Sequence, residues 1–175
     1  FHSSLKFVAI FVFWKYNKQY NMNDRDYVLI VLFLSIHTFG ARWLYSYVPY
    51  DVWLNTFTGH TMHEFFGWDR NHYDRLVHLM YGVCFTPALI SFFVARYGID
   101  KLLSFWFAVS IIIISSVVYE WFEWLVAITL SAQDAEAYNG QQGDMWDAHK
   151  DMLLATIGSL MWYFKYRTKK INNRL

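Results

Sequence analysis

The sequence predicts an all-α protein, a polytopic bundle of transmembrane helices, and three observations predict it. Of 175 residues, 56% are hydrophobic and only 17% are charged, against about a quarter charged in an ordinary soluble domain. Apolar runs at Tyr27 to Val48, Val77 to Tyr97 and Leu102 to Leu130 each supply the roughly 20 residues that cross a bilayer as a helix. No repeat, low-complexity tract or linker divides the chain, so residues 1–175 read as a single transmembrane helical domain.

Leu5 to Trp14 is apolar but shorter than a span, and it lacks a basic lead with a small-residue cleavage site. It reads as a truncated first helix, which makes five visible spans. After the polar connection Lys15 to Asp26, the second span is aliphatic as far as His37. It then turns aromatic through Trp43, Tyr45 and Tyr47 to Pro49, as an interfacial belt does, with His37 and Arg42 at a depth where ionisable groups need partners. The loop Tyr50 to Asn71 has room for a short interfacial helix. Its His60 and His63, without a third ligand, read as loop surface.

The third span begins in Arg70-Asn71-His72-Tyr73-Asp74-Arg75-Leu76-Val77-His78. Asp74 and His78, at i and i+4, share a helix face. Gly98-Ile99-Asp100-Lys101 makes a tight turn, so the third and fourth spans are antiparallel neighbours. Glu120 and Glu123 interrupt the end of the fourth span and should face the bundle interior, because an unpaired carboxylate in lipid is costly. The final span, Met152 to Phe164, is entered through Gly140 to Asp151. A helix starting near Asp144 would place Asp144, Asp147 and Asp151 on one stripe. Capping explains Asp144 but not Asp151, two turns further in.

Lys and Arg in short loops mark the cytoplasmic side. Lys165, Arg167, Lys169, Lys170 and Arg174 place the C-terminus there, and alternation adds the Arg96/Lys101 turn and Lys15, Lys18 and Arg25. His37, the start of span three, the end of span four and the start of span five then all lie at the outer face, where their side chains can form one pocket.

Carboxylates and a histidine from neighbouring helices are the ligand types of a divalent-cation site. The metal candidates are His78, Glu120, Glu123, Asp144, Asp147 and Asp151; Asp74, His78, Glu120 and Glu123 are the candidates for general acid–base catalysis. His37, Arg70, Arg75 and Gln142 are supporting polar residues. The corresponding function is a divalent-metal-dependent enzyme acting on lipid or envelope substrates. Two alternatives stand beside it: a structural ion network of Arg42, Arg70 and Arg75 with these acids, and a small proton or solute transporter. No Gly-x-Ser-x-Gly motif supports nucleophilic catalysis, Cys84 reads as a small buried thiol, and the partner is the lipid bilayer, with no nucleic-acid surface.

Four ordered motifs, His37-x-x-Gly40-Ala41, Arg70-Asn71-His72-Tyr73-Asp74-Arg75-x-x-His78, Tyr119-Glu120-x-x-Glu123-Trp124 and Gln142-Gly143-Asp144-x-Trp146-Asp147-x-x-x-Asp151-Met152, resemble those of the YjdF-like family of bacterial inner-membrane proteins. The resemblance covers nearly the whole chain and implies a multi-pass inner-membrane protein of six spans, with no reaction attached. The chain departs from that pattern in Gln141, where a Thr is expected, and in Arg42-Trp43-Leu44, where His-Tyr-Thr is expected. A fainter likeness to VanZ-like membrane proteins rests on Asp74-Arg75-x-x-His78, a later Glu and Asp147-x-x-x-Asp151.

Overall fold

The computed structural model describes residue 15 and residues 23–131, 134–135 and 140–167. The run Leu5 to Trp14 and the basic residues Lys169, Lys170 and Arg174 lie outside the described residues. Regular structure among the described residues is helical throughout: α1 (Asp24–Ala41), α2 (Tyr50–Thr58), α3 (Met62–Phe66), α4 (Tyr73–Tyr97), α5 (Lys101–Ala127), α6 (Asp147–Leu160) and α7 (Tyr163–Arg167). Of these, α4 with 25 residues and α5 with 27 are long and apolar enough to cross a membrane.

The α4–α5 turn follows from its residues. Gly98 takes the left-handed conformation that ends α4, and the Asp100 side chain accepts from the Leu102 and Leu103 amides to begin α5. The second predicted span is shorter than its apolar run, because α1 stops at Ala41 rather than Val48. Leu44 and Tyr45 adopt positive φ and fold the aromatic tail back, with the Trp43 and Tyr45 amides both donating to the Gly40 carbonyl. Gly40 permits this, since a Cβ there would run into the rings of Tyr73 and Tyr45. The interfacial loop holds two short helices, α2 and α3, the second closed by a Thr61/Glu64 capping box.

Helix α4 is central, packing on α1, α5 and most extensively α6. The α4–α6 crossing is close because both helices present glycine. A Cβ on Gly82 would strike the Ala155 carbonyl, and one on Gly158 the Leu79 carbonyl; Thr86 donates across the seam to Ser159 at 2.7 Å. Small residues with a hydroxyl bridge are how helices associate where lipid removes the hydrophobic drive. Pro87 cannot donate to the Val83 carbonyl one turn back; the Trp162 indole N–H takes that place at 2.8 Å.

The outward faces are apolar. Val28 and Leu32 on α1, Ile114, Trp121 and Leu125 on α5, and Leu153 and Ile157 on α6 are all exposed. In water such a belt would far exceed the few hundred Å² of apolar patch a soluble monomer tolerates. A bilayer is the solvent that suits it.

Candidate functional site

The ionisable residues of three of the chain's four motifs gather at the end of the bundle where α4 and α6 begin and α5 ends. The segment before α6 is fastened first. Arg70 Nη1 donates to the Gln141 carbonyl at 3.1 Å and Nη2 to the Gly140 carbonyl at 3.2 Å. Gln142, at positive φ, reads the Asn71 backbone in both senses: its Oε1 accepts from the Asn71 amide at 2.8 Å and its Nε2 donates to the Asn71 carbonyl at 3.0 Å. Asn71 in turn donates to the Val48 carbonyl and accepts from the Tyr73 amide. Two loops far apart in sequence thus form one rigid rim.

Helix α6 begins at Asp147 rather than near Asp144. Gly143 at φ 79° turns the chain there, and Asp144 accepts from the Trp146 amide ahead of the helix. Its other oxygen gathers three cations, Arg70, Arg75 and Lys150. Lys150, the Trp146 amide and Arg75 hold the Asp144 carboxyl well below the usual carboxylate range. Asp147, one turn on and buried, is paired with Arg70 at 2.7 Å and Arg75 at 3.2 Å. His72 sits beside Arg75, and burial together with the Arg75 and Arg70 charges pushes it below the ordinary imidazole value. Arg42, expected in this network, instead lies exposed over the Trp43 ring.

A turn deeper, the pairing stops. Asp74, His78 and Asp151 each offer one ligand atom, and these atoms lie within 4.8 Å of one another. His78 Nε2 stands 3.7 Å from Asp74 Oδ1 and 3.9 Å from Glu120 Oε1, too far for hydrogen bonds. The 3.7 and 3.9 Å spacings fall within the roughly 4.4 Å that can separate two atoms sharing an ion about 2.0–2.2 Å from each. Glu120 Oε1 and Asp151 Oδ1 are buried with no hydrogen-bond partner among the described residues. Glu123 lines a cavity of about 370 Å³ with Glu120, Asp151, Trp121 and Trp124 between α5 and α6. His37 is not in the cluster; its ring bonds the Tyr45 hydroxyl at 2.7 Å across a second cavity, which Asp74 and His78 also line.

Lys150, Asn71 and Tyr45 belong to this construction and were not singled out by sequence. A signal existed only for Lys150, which sits amid three carboxylates. The exposed His60 and His63 pair with Glu64 and Asp69, as loop-surface residues do.

An apolar outer belt around a bundle that buries a carboxylate–histidine cluster defines an integral membrane protein with an internal polar site. The chain belongs to the DUF2238 family of predicted membrane proteins, whose match runs over residues 3–170. It is 31% identical over 147 residues to the inner membrane protein YjdF of Escherichia coli (strain K12), an alignment that covers 82% of this chain and 65% of that protein. The chain therefore spans just under two thirds of that relative's length, and the YjdF-like resemblance read from the four motifs holds. No solved structure matches the chain.

Proposed function

We propose that this chain is a multi-pass protein of the bacterial inner membrane that binds a divalent cation through Asp74, His78 and Asp151, with Glu120 beside them, and uses it on a lipid or envelope substrate. In this reading α1 and the α6–α7 segment also span, making five spans here and six in the whole protein. The Lys165 and Arg167 end is cytoplasmic by the positive-inside rule, and the cluster lies near the outer leaflet. The name of the Escherichia coli relative supports the location.

One observation carries the cation reading. The three cations Arg70, Arg75 and Lys150 are all engaged with Asp144 and Asp147, while Asp151 and Glu120 keep buried oxygens without a partner. An ion network alone therefore accounts for the outer two acids and leaves the inner ones uncompensated. A divalent cation would balance them, and its donor set of oxygens with one imidazole nitrogen suits Zn²⁺ or Mn²⁺. The cation would polarise a bound substrate oxygen or activate water, with Glu120 and Glu123 placed to exchange a proton. The transporter alternative needs a second opening toward the α4–α5 turn.

Elemental analysis of protein purified without chelator tests the proposal. The expected result is a stoichiometric divalent cation that Asp151→Asn and His78→Gln both abolish while the protein stays folded. A wild-type protein that binds no cation from added Zn²⁺, Mn²⁺ or Mg²⁺ would overturn it.

A further inference from the structure

The cluster is a partition between two cavities of different character. On the α5–α6 side the lining is acidic, with Glu120, Glu123 and Asp151. On the other side, α1, α4 and α5 enclose about 280 Å³ in which Asp74 and His78 are the acidic and basic groups of α4, and Phe33, Val77, Tyr81 and Tyr119 supply most of the wall. This second cavity has a direction. Helix α4 descends from Asp74 through His78 to Tyr81, about 10 Å at 1.5 Å per residue. At the lower end Phe33 packs on Tyr81 and edge-on to Phe85, with centroids 5.7 and 5.1 Å apart.

The hydroxyls in this wall make no demand on a ligand. Tyr81 and Ser115 bond each other at 2.8 Å, and Ser116 donates to the Ile112 carbonyl. A sugar or peptide seated there would leave its own polar groups unpaired; a hydrocarbon chain would not. The upper wall is held in place by the turn after α1. Leu44 and Tyr45, neither of them glycine, sit at φ 47° and 58°, a conformation that persists only where the surrounding packing holds it. It brings the Tyr45 ring onto His37, which stacks on Phe33.

Among the described residues, the least packed flank of the cavity is the one between α1 and α5. Among the described residues α1 packs on α4, and α4 on α5, but α1 and α5 do not pack extensively against each other. The cavity's flank between Phe33 and Ser115 is therefore a seam of side chains at membrane depth.

We propose that this cavity takes up the headgroup-proximal half of one hydrocarbon chain of a membrane phospholipid, whose phosphate meets Asp74 and His78 through the divalent cation. The placement of the phosphate rests on the cation reading, since bare carboxylates would repel it. The placement of the chain rests on the cavity alone.

The test uses the full protein in maltoside detergent micelles doped with a phosphatidylglycerol analogue bearing a diazirine in the upper half of one acyl chain, with photolabelled residues mapped by mass spectrometry. The expected result is saturable labelling of Tyr81, Phe33 and Ser115, which excess unlabelled phosphatidylglycerol competes away. Ser116→Phe, which fills the cavity, should lower it at least tenfold, while Leu153→Phe on the exposed face of α6 leaves it unchanged. Labelling at Tyr81 no stronger and no more saturable than at exposed Ile114 would overturn the proposal, and that measurement needs no variant. Saturable labelling of a protein that binds no cation would uphold the chain site and defeat the cation reading; bound cation without such labelling would do the reverse.

Discussion

Asp147 and Asp151 lie on one stripe of α6, four residues apart and equally buried at 3% exposure, yet the structure predicts opposite consequences of neutralising them. Asp147→Asn removes the carboxylate that Arg70 approaches to 2.7 Å and Arg75 to 3.2 Å. Stripping one partner from a buried pair costs about 3–5 kcal/mol. Arg70 keeps the Gln141 and Gly140 carbonyls and Arg75 keeps Asp144, so the loss should fall at the low end, about 3 kcal/mol. Asp151→Asn removes no ion pair and relieves repulsion with Asp74 and Asp147. It should change stability by less than about 1 kcal/mol, or raise it. Unfolding in mixed micelles, followed by far-ultraviolet circular dichroism with a chelator present, isolates this protein-only term. Equal losses for the two variants would refute the division of the acids into a paired outer set and an unpaired inner one.

Gly82→Leu should prevent assembly, because its side chain would enter the backbone of α6 at Ala155. By contrast Gly59→Ala, with open space around a φ of 75°, should cost only about 1–2 kcal/mol; the yield of monodisperse protein after extraction separates them. Trp162→Phe leaves the Val83 carbonyl without its donor and should cost about 1–3 kcal/mol. The same change should cost less in a Pro87→Ala background, where residue 87 regains an amide to donate, and a double-mutant cycle by thermal unfolding reads that coupling. Because the Asp144 pKa is depressed in the folded protein, its stabilising contribution is fully present above the ordinary carboxylate value of about 3.9 and declines as pH falls below it. Melting temperatures from pH 7 to pH 3 should show that decline in wild type and a shallower one in Asp144→Asn. Finally, a reporter inserted between Leu130 and Gly140 should read extracytoplasmic and one after Phe164 cytoplasmic; the reverse pattern would move the cluster to the other leaflet.

Helices α4 and α5 were legible because an apolar run, a left-handed glycine and an aspartate cap all give the same boundary. The end of α1 was not. Trp43-Leu44-Tyr45 contains no turn-forming residue, and the helix stops there as Tyr45 packs back on His37 and Tyr73 of α4 closes against Gly40 and donates to the Ile36 carbonyl, a tertiary effect outside the local sequence. The site residues were visible individually, since an acid in an apolar run is conspicuous wherever it lies. Their division was hidden: periodicity puts Asp144, Asp147 and Asp151 on one stripe, and only the reach of Arg70 and Arg75 decides which are neutralised. Asp151 lies about 6 Å beyond Asp147 along the helix axis, past the end of either guanidinium's pairing. The close approach of Gly82 and Gly158 carried a signal, the small residues Gly82-x-x-x-Thr86 and Ala155-x-x-x-Ser159, which a reading fixed on charged residues passes over.

The opposite end of the bundle supplies an internal comparison. Asp26 is fully buried, more so than any acid of the cluster, yet both its oxygens are used: Arg25 donates to one from Nε at 2.8 Å and Nη2 at 2.6 Å, and the Ser91 hydroxyl donates to the other. That group fastens α1 to α4, and Arg25 also reaches the Tyr166 hydroxyl of α7. Where the fold needs a buried carboxylate for structure, it surrounds it with donors, as the cost of an unpaired one requires. Asp151 is buried almost as fully and Glu120 partly, yet among the described residues Asp151 Oδ1 and Glu120 Oε1 have no hydrogen-bond donor; a basic nitrogen, on His78, stands 3.9 Å from Glu120. A purely structural account of the cluster has to explain why selection solved this problem at Asp26 and left it open at the other end of the bundle. A site arranged around a cation needs no such exception, because the oxygens left without donors are the ones a cation would take.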